Sequence, residues 1–101
     1  MNDGIVNYSF SAEKNAHLKL TRDISFEEIV VALNNNKVLD IVDHHNQKKY
    51  PHQKIYYVEV KEYVYMVPFI RQENNRIFLK TIFASRKATK NFFGKGEQNE
   101  N

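Results

Sequence analysis

The spacing of apolar residues changes period along the chain, and each change marks an element. Val6–Phe10 alternates over a short stretch and predicts a first strand. Ser11 follows as the N-cap of a helix running to about Arg22, with Glu13 in its first turn and Ala12, Ala16 and Leu20 on one stripe. The second helix carries the fullest local signal. Ser25-x-x-Glu28 is a capping box, with Ile24 and Ile29 at the staple positions before and inside the helix. Phe26, Ile29, Val30 and Leu33 then supply the i, i+3, i+4, i+7 face. Asn34-Asn35-Asn36 ends it, because Asn tolerates the left-handed conformation at a helix stop.

Beyond the Asn triplet the period falls to two. Val38–Asp43 predicts a strand, and the polar stretch Asp43–Lys54, with Pro51 inside it, predicts a loop. Ile55–Lys61 and Tyr63–Ile70 are rich in Val, Ile and Tyr and leave room only for a tight hairpin at Lys61-Glu62. Pro68 cannot donate to a ladder, which predicts an edge position or a bulge there. Arg71–Asn75 reads as a loop and Arg76–Ala84 as the final strand, with Ile77, Leu79, Thr81 and Phe83 on one side. Ser85 caps a short helix that stops at Gly94, and 95–101 reads as a polar, frayed tail. The order predicts an α+β fold: N-terminal helices packed on an antiparallel four-stranded sheet, then a short C-terminal helix, as a single domain over 1–94.

Composition narrows the function classes. The 101 residues are enough for one core, and 7 Phe with 6 Tyr supply it. No cysteine is present, so thiol catalysis, disulfide scaffolds and Cys-based metal cages are excluded, and a reducing, cytoplasmic setting is expected. The apolar runs are far shorter than the ~20 residues of a spanning helix. The N-terminal residues do not read as a secretory signal. Fifteen Lys/Arg against twelve Asp/Glu give +3, with the bases gathered at Lys48, Lys49 and Lys54 and again at Lys80, Arg86, Lys87, Lys90 and Lys95.

Asp43, His44, His45 and His52 suggest a zinc or nickel set by residue type. Adjacent histidines on an extended segment point apart, however, and a His-rich polar loop is ordinarily solvated, so no metal site is assigned. His17 lies on a helix whose other faces are polar and reads as solvated. With three glycines in the chain and no Gly-flanked serine, neither a phosphate-cradling loop nor a nucleophile elbow is present. The basic cluster is the sharper feature. Arg86-Lys87 open the last helix, where backbone amides and the dipole favour a phosphate; Lys80 precedes them and Lys54 is expected to converge on the same place. Charge alone also fits ordinary solvating residues on a small domain.

Four segments in order, Phe10-Ser11-x-x-Lys14, Ile24-Ser25-Phe26-Glu27-Glu28, Val38-Leu39-Asp40 and Ser85-Arg86-Lys87-Ala88-Thr89, resemble the BrnT family over about Tyr8 to Phe92. BrnT proteins are toxins of bacterial type II toxin–antitoxin systems with a RelE-like fold. The resemblance implies a metal-independent endoribonuclease without cofactor, neutralised by a ribbon–helix–helix antitoxin in a 2:2 complex. It implies catalytic roles for Lys14, Lys54, Lys80 and Arg86 and RNA-binding roles for Arg22 and Lys87. The chain departs from the family where Thr21-Arg22-Asp23 replaces a Lys-His-Gly and where Lys90-Asn91 replaces an acidic residue. Those departures bear on which group handles the proton. The alternative is a non-catalytic module, a degenerate toxin acting through complex formation.

Overall fold

A computed structural model describes residues 6–94, and the tail expected over 95–101, with Lys95, lies outside the described residues. The chain is α+β. It runs through β1 (Asn7–Ser9), α1 (Ala12–Arg22), α2 (Phe26–Asn34), β2 (Val38–Asp43), β3 (Gln53–Val60), β4 (Tyr63–Gln72), β5 (Arg76–Leu79), β6 (Phe83–Ala84) and α3 (Arg86–Phe93).

The local stop and start signals act as their chemistry requires. The hydroxyls of Ser11, Ser25 and Ser85 accept from the amides of Lys14, Glu28 and Ala88, and the Glu28 carboxylate accepts in turn from the Ser25 amide to complete the capping box. Asn36 takes φ 61° just past α2. The stripe expected on α1 is displaced: Asn15 and Leu18 are buried, whereas Leu20 is 85% exposed. The helix turns its 15–18 side to the sheet because Asn15 is tied to the start of α2.

Among the described residues the sheet has six strands and is mixed, in the order β1-β5-β4-β3-β2, with β6 also on β4. This corrects the expectation of four antiparallel strands in two ways. First, β1 pairs in parallel with β5, Asn7 to Arg76 and Ser9 to Phe78. Second, the final strand is broken: β5 pairs with the distal part of β4 (Phe69 with Leu79), and β6 pairs nearer its start (Met66 with Phe83). Pro68 explains the break. An antiparallel residue aims its N–H and C=O at the same neighbour, and the Pro68 carbonyl accepts from the Lys80 amide at 2.8 Å. The donor that proline lacks therefore faces Lys80-Thr81-Ile82, where the ladder is interrupted. Pro68 is thus buried in a central strand rather than at an edge, and the irregularity lies on its partner. The interruption also shifts the alternation by one residue. Ile82 is fully buried and Phe83 is 44% exposed, the reverse of the uninterrupted pattern.

The two faces of the sheet differ. Tyr56, Val58, Val67, Phe69, Ile77 and Leu79 pack with Leu18, Ile24, Phe26, Ile29 and Leu33 of the α1–α2 layer. The opposite face carries Val42, Tyr57 and Met66, and α3 lies across it. Among the described residues, no helix is long and apolar enough to cross a membrane.

Candidate functional site

The last helix is fastened to the sheet by the segment that begins it. Ser85 caps α3 through its hydroxyl and donates its amide to the Val64 carbonyl at 3.0 Å. Thr89 donates its hydroxyl to the Ser85 carbonyl at 2.8 Å and accepts from the Val64 amide at 2.9 Å. Ala88 is buried against the sheet. Three residues of Ser85–Thr89 are therefore structural, while Arg86 and Lys87 are exposed and form no ion pair with the described residues. As first-turn residues of α3, their amides have no partner within the helix.

Beside this turn lies a groove of about 500 Å³ between α3 and strands β2, β3 and β4. Its floor is Val42, Tyr57 and Met66, its helical wall is Ala88, Asn91 and Phe92, and Asp40, Ser85 and Lys87 stand at its rim. Tyr57 and Phe92 face each other with ring centres 6.3 Å apart and planes at 48°. Asp40 and Lys87 line the groove without closing an ion pair across it.

The six cations singled out in the sequence do not gather at one place. Lys54 pairs with Phe69 on the α1–α2 side of the sheet and donates to Asp43 Oδ1 at 2.6 Å. Ser85 meets Val64, five positions away along β4, so Lys54 stands ~17 Å down the strand from the start of α3 and on the other face. The expected convergence of Lys54 on the α3 terminus is absent. Lys80 meets Pro68 across β4 from Lys54, so those two backbones lie ~10 Å apart at one level of the sheet. Lys14 occupies the first turn of α1 in a shallow depression with Ser11, Glu13 and His17. Arg22 has a structural partner: Nη1 donates to the Ile82 carbonyl at 3.0 Å and the guanidinium lies 5.7 Å from the Phe83 ring centre. It holds the interrupted strand against the end of α1.

The histidine loop also departs from expectation. His44 and His45 do not point apart; their rings stack at 4.6 Å, and Tyr50 closes on His44 at 4.5 Å. The chain bends at His45 as it leaves β2, which brings the rings to one side. His44 Nδ1 accepts from the Asn46 amide at 3.0 Å, so that nitrogen carries no proton. Desolvation, then the neighbouring His45, holds the His44 imidazolium below its ordinary pKa. Among the described residues, no group of three or more His, Asp or Glu side chains is placed to hold a metal.

Elsewhere, burial pushes the Tyr56 hydroxyl up to about 12, so it stays protonated. Two residues that sequence reasoning passed over do much of the positioning. Thr89 has no role in the sequence reading beyond closing the Ser85–Thr89 segment, and Asn15 has none at all; each finds its partners through tertiary contacts that no local pattern announces. Compared with protein-family models, with curated proteins and with solved structures, the chain has no match.

Proposed function

We propose that the chain is an RNA-cleaving toxin of the BrnT type, with a RelE-like arrangement of helices and sheet. It acts in the cytoplasm without a metal and is held silent by a ribbon–helix–helix antitoxin, two toxins on one antitoxin dimer. The observation that carries this reading is the division of labour in Ser85–Thr89. Ser85, Ala88 and Thr89 hold the helix, which leaves Arg86 and Lys87 exposed at its open end beside a groove. Cleavage of RNA by its own 2′-hydroxyl needs orientation, cations on the phosphorane, an acceptor for the 2′-hydroxyl proton and a donor for the departing 5′-oxygen. A guanidinium at a helix N-terminus supplies the first two; water takes up the 2′-proton, and a lysine ammonium or water returns one to the 5′-oxygen. Two helices ahead of the main strands and one short helix behind them also agree with the resemblance.

Arg86 binds the scissile phosphate through two parallel hydrogen bonds, which a lysine does not reproduce. Arg86→Ala and Arg86→Lys therefore both lose cleavage by about 10²–10³, on the order of 2.7–4 kcal/mol. Lys87→Ala loses far less, because adjacent helical residues face different directions. The test is the cleavage rate of single-stranded RNA in EDTA, with a 2′,3′-cyclic phosphate product and a melting curve for each variant. An Arg86→Ala protein that stays folded and active removes Arg86 from the mechanism, and cleavage that needs an added divalent ion removes the metal-independent reaction. Lys54, Lys80, Lys14 and Arg22 contribute to RNA positioning along the remaining surface.

A second reading, a non-catalytic partner-binding module, draws on one observation: Phe92 and Phe93 on α3 and Phe83 on β6 are each about 40% exposed. Wild-type protein that binds the antitoxin yet leaves RNA intact decides for that module.

A further inference from the structure

The groove beside α3 has walls of two kinds. Tyr57 and Phe92 form a tilted aromatic pair across it, and Val42 and Met66 complete an apolar floor. Around that floor stand an acceptor, Asp40, a cation, Lys87, and two groups able to donate and accept, Ser85 and Asn91. Asp40 Oδ1 accepts from the Ile41 amide, which fixes the carboxylate at the rim. Helix α3 carries Arg86, Lys87 and Lys90 and no acidic residue. A flat aromatic ligand with a hydrogen-bonding edge and an anionic tail satisfies all of these features at once, and a nucleotide has that chemistry.

We propose that this groove binds one nucleotide of single-stranded RNA, with its base against Tyr57 and Phe92, the base edge at Asp40 and Asn91, and a phosphate at Lys87. The assignment rests on the RNA-cleaving reading for its ligand class and extends it by separating two tasks. Arg86 acts on the phosphate that is cut, while the groove seats a neighbouring base and sets the register of the strand.

The test uses the whole chain and a fluorescein-labelled eight-nucleotide RNA whose riboses are 2′-O-methylated, so that binding is read without cleavage. Tyr57→Leu and Phe92→Leu keep apolar bulk and remove the aromatic faces. Each weakens binding about tenfold, the usual scale of one stacked base. Lys87→Ala, on the surface and harmless to folding, lowers the slope of log affinity against log salt by about 0.7, as expected for one lost phosphate contact on a single strand. Affinities of all three variants equal to wild type overturn the groove assignment, even if Arg86→Ala abolishes cleavage of unmodified RNA. Wild-type protein that binds the octamer with these losses yet cuts nothing upholds the groove and removes the endonuclease reading. Wild-type protein that ignores the octamer overturns the groove assignment and leaves the face to a protein partner.

Discussion

Asn15 is a buried amide with both ends engaged: its carbonyl accepts from the Phe26 amide at 2.8 Å, and its amide donates to Glu27 Oε1 at 2.9 Å. Replacing it with leucine keeps the branched outline and strands the Phe26 N–H. We expect Asn15→Leu to lower stability by about 1–3 kcal/mol in urea unfolding. The same side chain is the largest reason that the Glu27 carboxyl sits below its ordinary pKa. A depressed carboxyl adds stability above its unfolded pKa and loses it as pH falls through the lower folded value. Asn15→Leu therefore flattens part of the acid limb of the stability curve, which a series of urea midpoints from about pH 5 downward will read. His44 obeys the same sign rule from another starting charge. Its folded pKa is lowered, so the unfolded chain takes up the proton first and stability falls as pH drops from the ordinary value of 6.5 to the lower folded value. Protonation also removes the acceptor of the Asn46 amide. Across that window, His44 ring resonances and Asn46 amide protection should titrate together in NMR; an Asn46 amide indifferent to His44 protonation contradicts the bond.

At the scale of elements, the β3–β4 turn shows a sequence choosing an expensive conformation. Lys61 and Glu62 have φ 53° and 64°, the left-handed pair of a type I′ hairpin, without the Asn-Gly that relieves it. Combining Lys61→Asn with Glu62→Gly gives up only a 3.7 Å pair between Lys61 and Glu28, in which the Lys61 side chain is 83% exposed. The double variant should gain roughly 1–2 kcal/mol, seen as a higher urea midpoint at unchanged slope. This hairpin was legible in the sequence because its two strands are adjacent and its turn has fixed length. The three serine caps and the Asn stop were legible for the same reason: each signal and its effect lie close together along the chain. The α1 stripe was not, because Asn15, rather than an apolar residue, decides which side of that helix faces inward. Nor was the break in the last strand, whose cause is Pro68 on a different strand. Of the candidate site, the helix start at Arg86 and Lys87 was readable from its cap, whereas the groove beside it needs Asp40, Tyr57 and Phe92 from three elements.

For the whole molecule, the distribution of cations matters more than their number. Lys54 and Lys80 share one level of the sheet, while Arg86 and Lys87 stand at the other end and on the face opposite Lys54, so the basic residues are dispersed over the molecule rather than focused. The parallel pairing of β1 with β5 has a consequence in time. Asn7 finds its partner at Arg76, 69 positions later, so at ~5–20 residues per second the first strand waits roughly 3–14 s during synthesis before its edge is closed. The basic helix emerges later still, after the strand that completes the sheet. Most of the chain is therefore made before its cationic end exists.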